Sequence, residues 1–526
     1  MRRRSFLRTA SAATIGGFAV RGFSNPLLTP LLNRSTDDRV LVIVQLYGGN
    51  DGLNTVIPLD QYGVLSTVRG NVLIPESAVL DLPGADGTGL HPSMGGMREL
   101  WQNGKLSIVQ GVGYPDPDFS HFRSTDIWET GADSDELLAS GWTGRYLHFE
   151  YPNFPNGYPN ATMPDPLAIR IGGPISIGLQ HQGVSMGASI YNTEDSLNLT
   201  GNLFNDPVTA DCMGSKLDFV RTVQRQADLY GDVIQAAAQP GCNLSTLYPT
   251  GEEPGAKLAN ALKIVAQLIC GGLKTRIYWV GIDGFDTHAQ QVVAGNTTTG
   301  THANLLRGLS DSIHAFQNDL ELLGIDDRVI GMTFSEFGRR IKSNASIGTD
   351  HGTAAPLFLF GTHVVPGMLG TNPDIPANTT YETNLPMQYD FRSVYASVLK
   401  DWFCLEASEV DGVMLDTYQT LALVDPAGCL GTSVREANQA AGTSLLDVFP
   451  NPFTDLLNLR FEASGDRTLV QLYGENGQLV RTLQNGPLAR GEHRMRTDLS
   501  DLPAGAYYCR VQNGMQQQVK AIIKMR

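Results

Sequence analysis

The chain has 526 residues, of which 42% are hydrophobic and 17% are charged, a composition typical of a folded protein rather than a disordered one. A chain of this length is expected to hold one large domain and a smaller one. The formal net charge of −15 argues against a nucleic-acid partner, which requires a basic surface. It does not argue against small anionic substrates, because a local cation can hold them.

The first residues have the layout of an export signal. Basic residues precede a short, weakly apolar stretch of Ala, Gly and Thr, which is too short for a stable transmembrane span. Arg3-Arg4-Ser5-Phe6-Leu7 resembles the twin-arginine signal, whose machinery exports folded proteins, and an ordinary secretory signal is the alternative. Residues 1–36 are interpreted as an export signal and pro-segment. Export after folding would suit a protein that acquires a metal in the cytoplasm.

Residues 37–430 alternate between short apolar runs and helical patterns. Continuous apolar runs that end in glycine-rich, acidic loops are typical of buried parallel strands. Helical periodicity over Lys257–Leu273 and His302–Leu323 lies between them. This alternation predicts an α/β fold with helices flanking a mainly parallel central sheet. The apolar runs are Val40–Leu46, Leu106–Val112, Arg276–Val280, Arg328–Phe334 and Leu357–Phe360.

Acidic residues and histidines follow or precede these strands. Since ligands gather at the carboxyl ends of parallel strands, we expect these side chains to meet there. Mixed carboxylates and imidazoles suit zinc, manganese or iron, and an oxygen-richer subset suits magnesium or calcium. The set predicts one or two divalent metal ions, although any single member is better explained as a turn residue. The candidate ligands are Asp51, Asp283, Asp286, His288, Asp350, His351 and His363.

Other polar residues at strand ends are candidates for catalysis. Ser120 follows the second strand at the expected start of a helix, where it is either a nucleophile or a helix cap. His121 is a candidate ligand, base or loop residue. Glu336 is a candidate ligand or outer-shell anchor, and Arg339 or Arg340 could hold an anionic substrate oxygen.

The C-terminal residues differ from the rest in composition and in the spacing of their apolar residues. A small-residue linker at residues 431–446 precedes short alternating strands over residues 447–526, which predict a separate β-sandwich. The six cysteines lack the CxxC pairing of zinc ribbons. In an exported protein, Cys212–Cys242 and Cys404–Cys429 can form disulfides, but the sequence leaves the connectivity open.

Two stretches resemble known families. VQLYGGNDGLNTVIP, FSHFRSTDIWETG, GFDTH, SEFGRR and GTDHGTAAPLFLFG resemble the family called domain of unknown function 1501, which is similar to the alkaline phosphatase and sulfatase superfamily. VFPNPF, LYGENGQLV and DLPAGAYYCRV resemble the type IX secretion sorting domain. The second resemblance implies passage through the periplasm to the outer-membrane surface or the extracellular space, with the type IX export machinery as a partner. The twin-arginine-like start implies the twin-arginine machinery as a further partner.

The first resemblance implies metals held by Asp and His at strand ends. The superfamily pattern places ligands at Asp51, at Asp283 or Asp286 with His288, and at the pair Asp350 and His351. It also implies His363, where relatives often carry glycine, and a nucleophile at Ser120, with Ser124 and Thr125 as alternatives. The expectation is a secreted or surface-attached metal-dependent hydrolase that acts on an anionic phosphate or sulfate ester. The alternative is a non-catalytic surface protein on the same scaffold that binds a polyanion or glycan.

Overall fold

The computed structural model describes residues 38–161, 163–192, 214, 217, 221, 230–238, 243–251, 254–426, 429, 446–449, 453–463, 467–474, 478–513 and 516–525. The chain divides into two compact units, Met1–Cys429 and Leu430–Arg526. The expected export signal and most of the expected linker lie outside the described residues, so the domain boundaries remain predictions.

A large mixed sheet forms the centre of the first unit. Its strands and those of smaller sheets are β1 (Val40–Tyr47), β2 (Val56–Pro58), β3 (Leu80–Asp81), β4 (Thr88–Leu90), β5 (Leu106–Gly113), β6 (Ala168–Ile171), β7 (Gln180–His181), β8 (Val184–Ser185), β9 (Ala188–Ile190), β10 (Ile277–Asp283), β11 (Val329–Ser335), β12 (Arg339–Ser343), β13 (Thr349–His351), β14 (Ala355–Gly361), β15 (Gly367–Leu369) and β16 (Tyr389–Asp390). Among the described residues, nine strands form the large sheet in the order β15-β5-β14-β11-β1-β10-β6-β9, with β16 beside β5.

The large sheet is mainly parallel, as the sequence predicts. β1 pairs in parallel with β10 and β11, and the pairings of β10 with β6 and of β6 with β9 are also parallel. β14 is the exception, because it runs antiparallel to both of its neighbours, β11 and β5. The expectation that the apolar run Leu357–Phe360 is a parallel strand is therefore wrong.

Helices cover both faces of the sheet. They are α1 (Gly52–Thr55), α2 (Tyr62–Arg69), α3 (Gly95–Gln102), α4 (His121–Thr130), α5 (Trp142–Glu150), α6 (Pro254–Cys270), α7 (Thr301–Leu323), α8 (Phe391–Ser397) and α9 (Ala407–Met414). Alternate residues of β1 enter opposite cores: Val42 and Val44 pack with α6 and α7, whereas Leu41 and Ile43 lie in the core that holds α5 and α8. Burial on both faces explains why this strand is a continuous apolar run.

The second unit is an antiparallel β-sandwich. Its strands are β17 (Leu446–Phe449), β18 (Leu456–Ala463), β19 (Arg467–Gly474), β20 (Leu479–Pro487), β21 (Gly491–Asp498), β22 (Gly505–Asn513) and β23 (Gln516–Lys524). They form one sheet in the order β17-β18-β21 and another in the order β20-β19-β22-β23. Phe461 from the first sheet and Leu472 from the second share one core, which confirms the expected sandwich.

Two further expectations concern cysteines and membranes. Cys404 and Cys429 form a disulfide with their Cα atoms 5.5 Å apart, whereas Cys212 and Cys242 lie outside the described residues. In the part of the chain that is described, none of the helices has the length and apolar character needed to cross a membrane.

Candidate metal centre

The candidate site lies at the carboxyl edge of the central parallel strands. β1, β10 and β11 end level with one another, because Tyr47 pairs with Asp283 and Leu46 pairs with Ser335. The segments that follow β10 and β11 therefore come together. β5 runs in the same direction and leads to α4, whereas the antiparallel β14 begins at this edge, so that β13 before it also arrives there.

Three histidines direct their Nε2 atoms towards Asp286. The Nε2 atoms of His288 and His351 each lie 3.3 Å from Asp286 Oδ1, and they lie 2.9 Å from each other. His121 Nε2 lies 3.5 Å from Asp286 Oδ2. Among the described residues, the ligand atoms of His121, Asp286 and His351 all lie within 4.8 Å of one another. The structure thus brings together four residues that the sequence singled out.

The other nitrogen of two of these rings is held by an acceptor. His351 Nδ1 lies 2.8 Å from the carbonyl oxygen of Phe119, which can only accept, so this nitrogen carries a proton. His288 Nδ1 lies 3.0 Å from Asp350 Oδ1, and an ionised carboxylate likewise only accepts. In the neutral rings, the two facing Nε2 atoms therefore present lone pairs to each other. Only a cation or an added proton makes that arrangement favourable.

Glu336 orients the third ring in the same way. This residue is 1% exposed, and its Oε1 lies 2.9 Å from His121 Nδ1 and accepts from the Gly48 N–H at 2.8 Å. Gly48 has φ +116°, and a Cβ atom there would lie 2.2 Å from the backbone nitrogen of Asp286, so only glycine permits this approach. The Glu336 contact leaves the His121 Nε2 lone pair free to face the cluster.

The charge states of the cluster suit metal binding. Burial opposes ionisation of Asp286, but the hydrogen bond and the charge of Arg339 outweigh it and hold the pKa of Asp286 below its ordinary value. Burial lowers the pKa of His351, and the charge of Arg339 lowers it further. An ionised carboxylate and a neutral imidazole are the forms in which these groups bind metals.

Arg339 supports the loops of the site and is enclosed by them. It is 1% exposed, and its Nη2 lies 2.8 Å from Asp286 Oδ1. Its Nε donates to the Gly49 carbonyl at 2.8 Å and its Nη1 to the Thr349 carbonyl at 2.7 Å. The expectation that Arg339 holds a substrate oxygen is not matched, because these groups already occupy its donors. Arg340, the alternative, is only half-buried.

Ser120 stands at the start of α4 without capping the helix through its side chain. It is the N-cap residue of α4, yet its side chain makes no capping hydrogen bond. The residue is exposed, and the residues on either side of it both contact the cluster, through the Phe119 carbonyl and the His121 ring. Ser124, the alternative, is fully buried and donates to the Asp118 carbonyl at 2.8 Å.

Asp51 is placed below the cluster, in a buried ion pair. It is 1% exposed, and its Oδ2 accepts from the buried guanidinium of Arg69 and from Gln291 Nε2 at 2.6 Å. Burial opposes its ionisation, but the charges of Arg69 and His302 and the hydrogen bonds from Gln291 and Arg69 together outweigh burial and lower the pKa of Asp51. Arg69 thus pairs with one oxygen of the carboxylate for which the sequence predicts a metal ion, while Oδ1 is buried without a hydrogen-bond partner among the described residues.

Gln291 connects Asp51 to the loops of the cluster. Its Nε2 donates to Asp51, and its Oε1 accepts from the hydroxyl groups of Thr287 at 3.2 Å and Thr349 at 2.8 Å. Thr287 lies between two cluster residues, and Thr349 directly precedes Asp350 in the chain. One buried amide thus ties the two ligand-bearing loops together. The Asp51 carboxylate, which only accepts, fixes the orientation of that amide.

Two candidate ligands lie elsewhere. Asp283 ends β10, where it is exposed and lines a separate cavity. His363 follows β14, whose antiparallel direction carries its carboxyl end to the opposite edge of the sheet. There His363 Nε2 lies 3.4 Å from Asp327 Oδ1, and its ring packs 5.8 Å from that of Trp402. The expected placement of His363 beside Asp350 and His351 is therefore wrong.

The donor set fits a metal ion with nitrogen-rich coordination. Imidazole nitrogens and a carboxylate oxygen are ligands of zinc sites, whereas magnesium and calcium prefer oxygen. Donor atoms around a tetrahedral ion with bonds near 2.1 Å are roughly 3.4 Å apart. The separations between the Nε2 atoms and the Asp286 oxygens, and between two of the Nε2 atoms, are 2.9–3.5 Å.

Several supporting residues have no signal in the sequence. Arg69 stands in a segment without an acidic or histidine motif, and Gln291 follows the GFDTH segment but is not a usual metal-ligand type. Asn344 donates through Nδ2 to Asp350 Oδ1 at 3.0 Å and to the carbonyl of His288 at 2.9 Å. These bonds hold His288 and Asp350 in the positions in which their side chains contact each other. Such polar anchors are identified by their contacts.

Two segments of the chain match families. Residues 227–414 match the family described as protein of unknown function (DUF1501), and residues 447–525 match the secretion system C-terminal sorting domain. The sorting domain indicates export by the type IX route to the cell surface or the extracellular space. No curated protein matches the chain.

Among solved structures, the chain is similar to members of the alkaline phosphatase and sulfatase superfamily. A Vibrio parahaemolyticus protein of the alkaline phosphatase superfamily is 9% identical, over 86% of this chain and 82% of that one, with a TM-score of 0.30. The PsFucS1 sulfatase from Pseudoalteromonas sp. is 8% identical, over 89% and 85%, with a TM-score of 0.34. PorZ, a type IX secretion component of Porphyromonas gingivalis, is 15% identical over 18% of this chain and 13% of its own, with a TM-score of 0.13.

Proposed function

We propose that this chain, which carries a DUF1501 domain and a type IX sorting domain, is an exported metal-dependent hydrolase of phosphate or sulfate esters. The observation that carries the proposal is the convergence of three Nε2 lone pairs on the Asp286 carboxylate. His121, His288 and His351 each have the opposite nitrogen bound to an acceptor. That preorganised set of lone pairs is costly to hold together without a cation.

The ligands of the proposed centre are Asp286, His121, His288 and His351. Nitrogen-rich donors favour zinc, with manganese or iron as chemical alternatives, over magnesium or calcium. A bound divalent ion there supplies positive charge that favours the anionic form of a nearby hydroxyl and the charge that builds on an ester oxygen. We propose one such centre at these four residues, and the cation beside Asp51 is Arg69.

Ser120 is the proposed nucleophile. Its hydroxyl is free of a capping bond and stands at the N-terminus of α4, a ten-residue helix whose positive dipole end favours an anionic group. The Phe119 carbonyl accepts a hydrogen bond from His351 Nδ1, and this bond fixes the backbone just before Ser120. The same contact keeps the proton of His351 on Nδ1, so that its Nε2 stays directed at the centre.

Arg340 is the proposed anion-binding residue. Its Nε donates to the His351 carbonyl at 3.0 Å, and its guanidinium lies 5.5 Å from the centroid of the Phe119 ring. Its ionic partner is Glu382, 2.7 Å away, whose side chain is 84% exposed. An ion pair with so exposed an acid is weak, so an anionic ester can replace Glu382 at modest cost.

Metal content and ester hydrolysis test the proposal together. The full chain, purified after export, is expected to contain about one equivalent of zinc or a similar ion and to hydrolyse an aryl phosphate or an aryl sulfate. Asp286→Asn is expected to lose both properties. Asp327→Asn, the same change at the opposite edge of the sheet, is expected to keep both. Protein that binds metal but hydrolyses neither ester would contradict the enzyme proposal and favour a binding role for this centre.

A further inference from the structure

A cavity of about 450 Å³ lies beside the candidate centre, at the carboxyl ends of β6 and β10. Helix α6 bounds it on one side, and the end of β1 contributes Tyr47. None of the residues proposed as metal ligands lines it. In sheets of this kind, the carboxyl ends of parallel strands are where ligands bind. The volume is within the range of small-molecule sites.

A buried arginine with unused donors forms one wall. Arg170 is 5% exposed, and its Nη2 donates to the Tyr47 hydroxyl. Its Nε and Nη1 are buried and have no hydrogen-bond partner. The nearby Glu129 carboxyl makes no hydrogen bond to either of them; its Oε2 accepts from the Gly178 N–H at 3.3 Å. Buried donors without partners are rare in folded proteins and point to a missing acceptor.

The remaining polar residues surround the mouth. Lys257 and Asn260 lie exposed on one side, and Asp283 lies exposed at the end of β10. With Arg170, the charged lining therefore has two cations and one anion. This balance favours a ligand with one anionic group. The Asn260 amide can donate to or accept from hydroxyl groups of such a ligand, and the Asp283 carboxylate can accept from them.

The floor of the cavity is apolar. Ile171, Ile264 and Ile282 line it, and the Tyr47 ring stands beside Arg170. Apolar contacts of this kind suit the carbon skeleton of a compact ring rather than a bare inorganic ion. Apolar side chains combined with convergent polar groups are typical of sites for small organic ligands.

We propose that this cavity binds a sugar-sized organic acid, in which one carboxylate, sulfate or phosphate group pairs with Arg170 and Lys257 while hydroxyl groups face Asn260 and Asp283. The site is separate from the metal ligands. It is adjacent to them along the chain, since Asp283 precedes Asp286 by three residues and Tyr47 precedes Gly48. Binding there does not depend on whether the chain is a hydrolase.

Calorimetric titration of the full chain in the presence of a chelator tests the proposal, because the metal centre is then inactive. The probes are glucuronate, glucose 6-sulfate and glucose 6-phosphate, with glucose as the neutral reference. At least one acid is expected to bind ten-fold or more tightly than glucose, and the preferred acid identifies the anionic group. Equal binding of glucose and all three acids, or binding of none, would overturn the proposal.

Two variants locate the binding. Lys257→Glu is expected to weaken the acid at least ten-fold, whereas Lys400→Glu, the same charge change at an exposed lysine outside the cavity, leaves it unchanged. Arg170→Gln is expected to abolish binding, with thermal unfolding as the check on its fold. Asp286→Asn is expected to retain full affinity. Loss of acid binding in Asp286→Asn would place the ligand at the metal centre instead.

Discussion

His288 and His351 face each other through their Nε2 atoms at 2.9 Å, while the Nδ1 atom of each ring is bound to an acceptor. Two neutral rings held in this way direct lone pairs at one another. The fold maintains the contact through two separate segments, one after β10 and one before β14, so it is not a consequence of local chain geometry. It is the relationship that most directly indicates a cation site.

Substitution of one ring is expected to remove the metal. His351→Gln deletes an Nε2 donor and should weaken metal affinity at least 100-fold, because one of four ligands is lost. His363→Gln is the matched control, since His363 lies at the opposite edge of the sheet. Titration of each apo protein with zinc, followed by competition with a chelator, measures the difference. Equal affinities in the two variants would refute the assignment of His351.

Glu336 is expected to tune affinity without binding the metal itself. Glu336→Gln keeps the size of the side chain but weakens its hold on the His121 Nδ1 proton, so we expect a 10–100-fold loss of metal affinity. Glu382→Gln changes an exposed acid near the same site and should leave the affinity unchanged. A complete loss of metal in Glu336→Gln would indicate direct ligation.

The substitution Ser120→Ala separates catalysis from stability. Because the Ser120 hydroxyl makes no capping bond, its removal should change the free energy of unfolding by less than about 0.5 kcal/mol. Ester hydrolysis should nevertheless fall more than 100-fold. Asp390→Ala is the comparison, since Asp390 caps α8 by accepting from the Arg392 N–H at 2.9 Å and also accepts from the Arg392 guanidinium, so its loss should cost at least about 1 kcal/mol. Chemical unfolding and initial rates measure the two effects.

The sequence predicts which strands end together at the carboxyl edge of the sheet better than it predicts which side chains contact one another there. Apolar runs followed by acidic loops correctly place the ends of β1, β10 and β11 together. The direction of β14 is not encoded in a run such as Leu357–Phe360, because parallel and antiparallel buried strands share that pattern. Reversal of this one strand moves His363 to the far edge, yet it leaves His351 in place, since His351 precedes the strand.

The roles of single polar residues depend on partners that are distant in the chain. Asp51 has the position expected of a ligand, and Arg69 reaches it from α2 to form a buried ion pair. Arg339 was interpreted as a substrate contact, and backbone carbonyls from three loops surround it instead. Neither pairing follows from spacing or periodicity, because each depends on how loops pack over the finished sheet.

The hydroxyl of Thr349 is expected to support metal binding through its hydrogen bond to Gln291. Thr349→Val removes the 2.8 Å hydrogen bond to Gln291 Oε1, which should loosen the loop before Asp350 and weaken metal affinity about ten-fold. Thr349→Ser retains the hydroxyl and is expected to restore affinity. If both variants bind metal equally well, the amide does not position the ligand loops. Metal titration gives the affinity, and thermal unfolding shows whether stability changes separately.

Two buried histidines predict a loss of stability in mild acid. Burial lowers the pKa of His302 to about 4 and that of His91 to about 3, below the ordinary value near 6.5. Between pH 6.5 and pH 4, the unfolded chain therefore binds protons that the folded chain excludes, so the contribution of His302 is complete above pH 6.5 and is lost as the pH falls.

This acid sensitivity is measurable by substitution. Between pH 7 and pH 4.5, the wild type should lose about 2 kcal/mol more stability than His302→Gln, which carries no titrating ring. Urea unfolding of the chelated proteins at several pH values gives the comparison, and His91→Gln should flatten the same range. Parallel pH profiles for wild type and His302→Gln would mean that His302 is protonated in the folded state. In that case the Asp51 carboxylate would have a second cation beside it, because the charges of Asp51 and His302 act on each other.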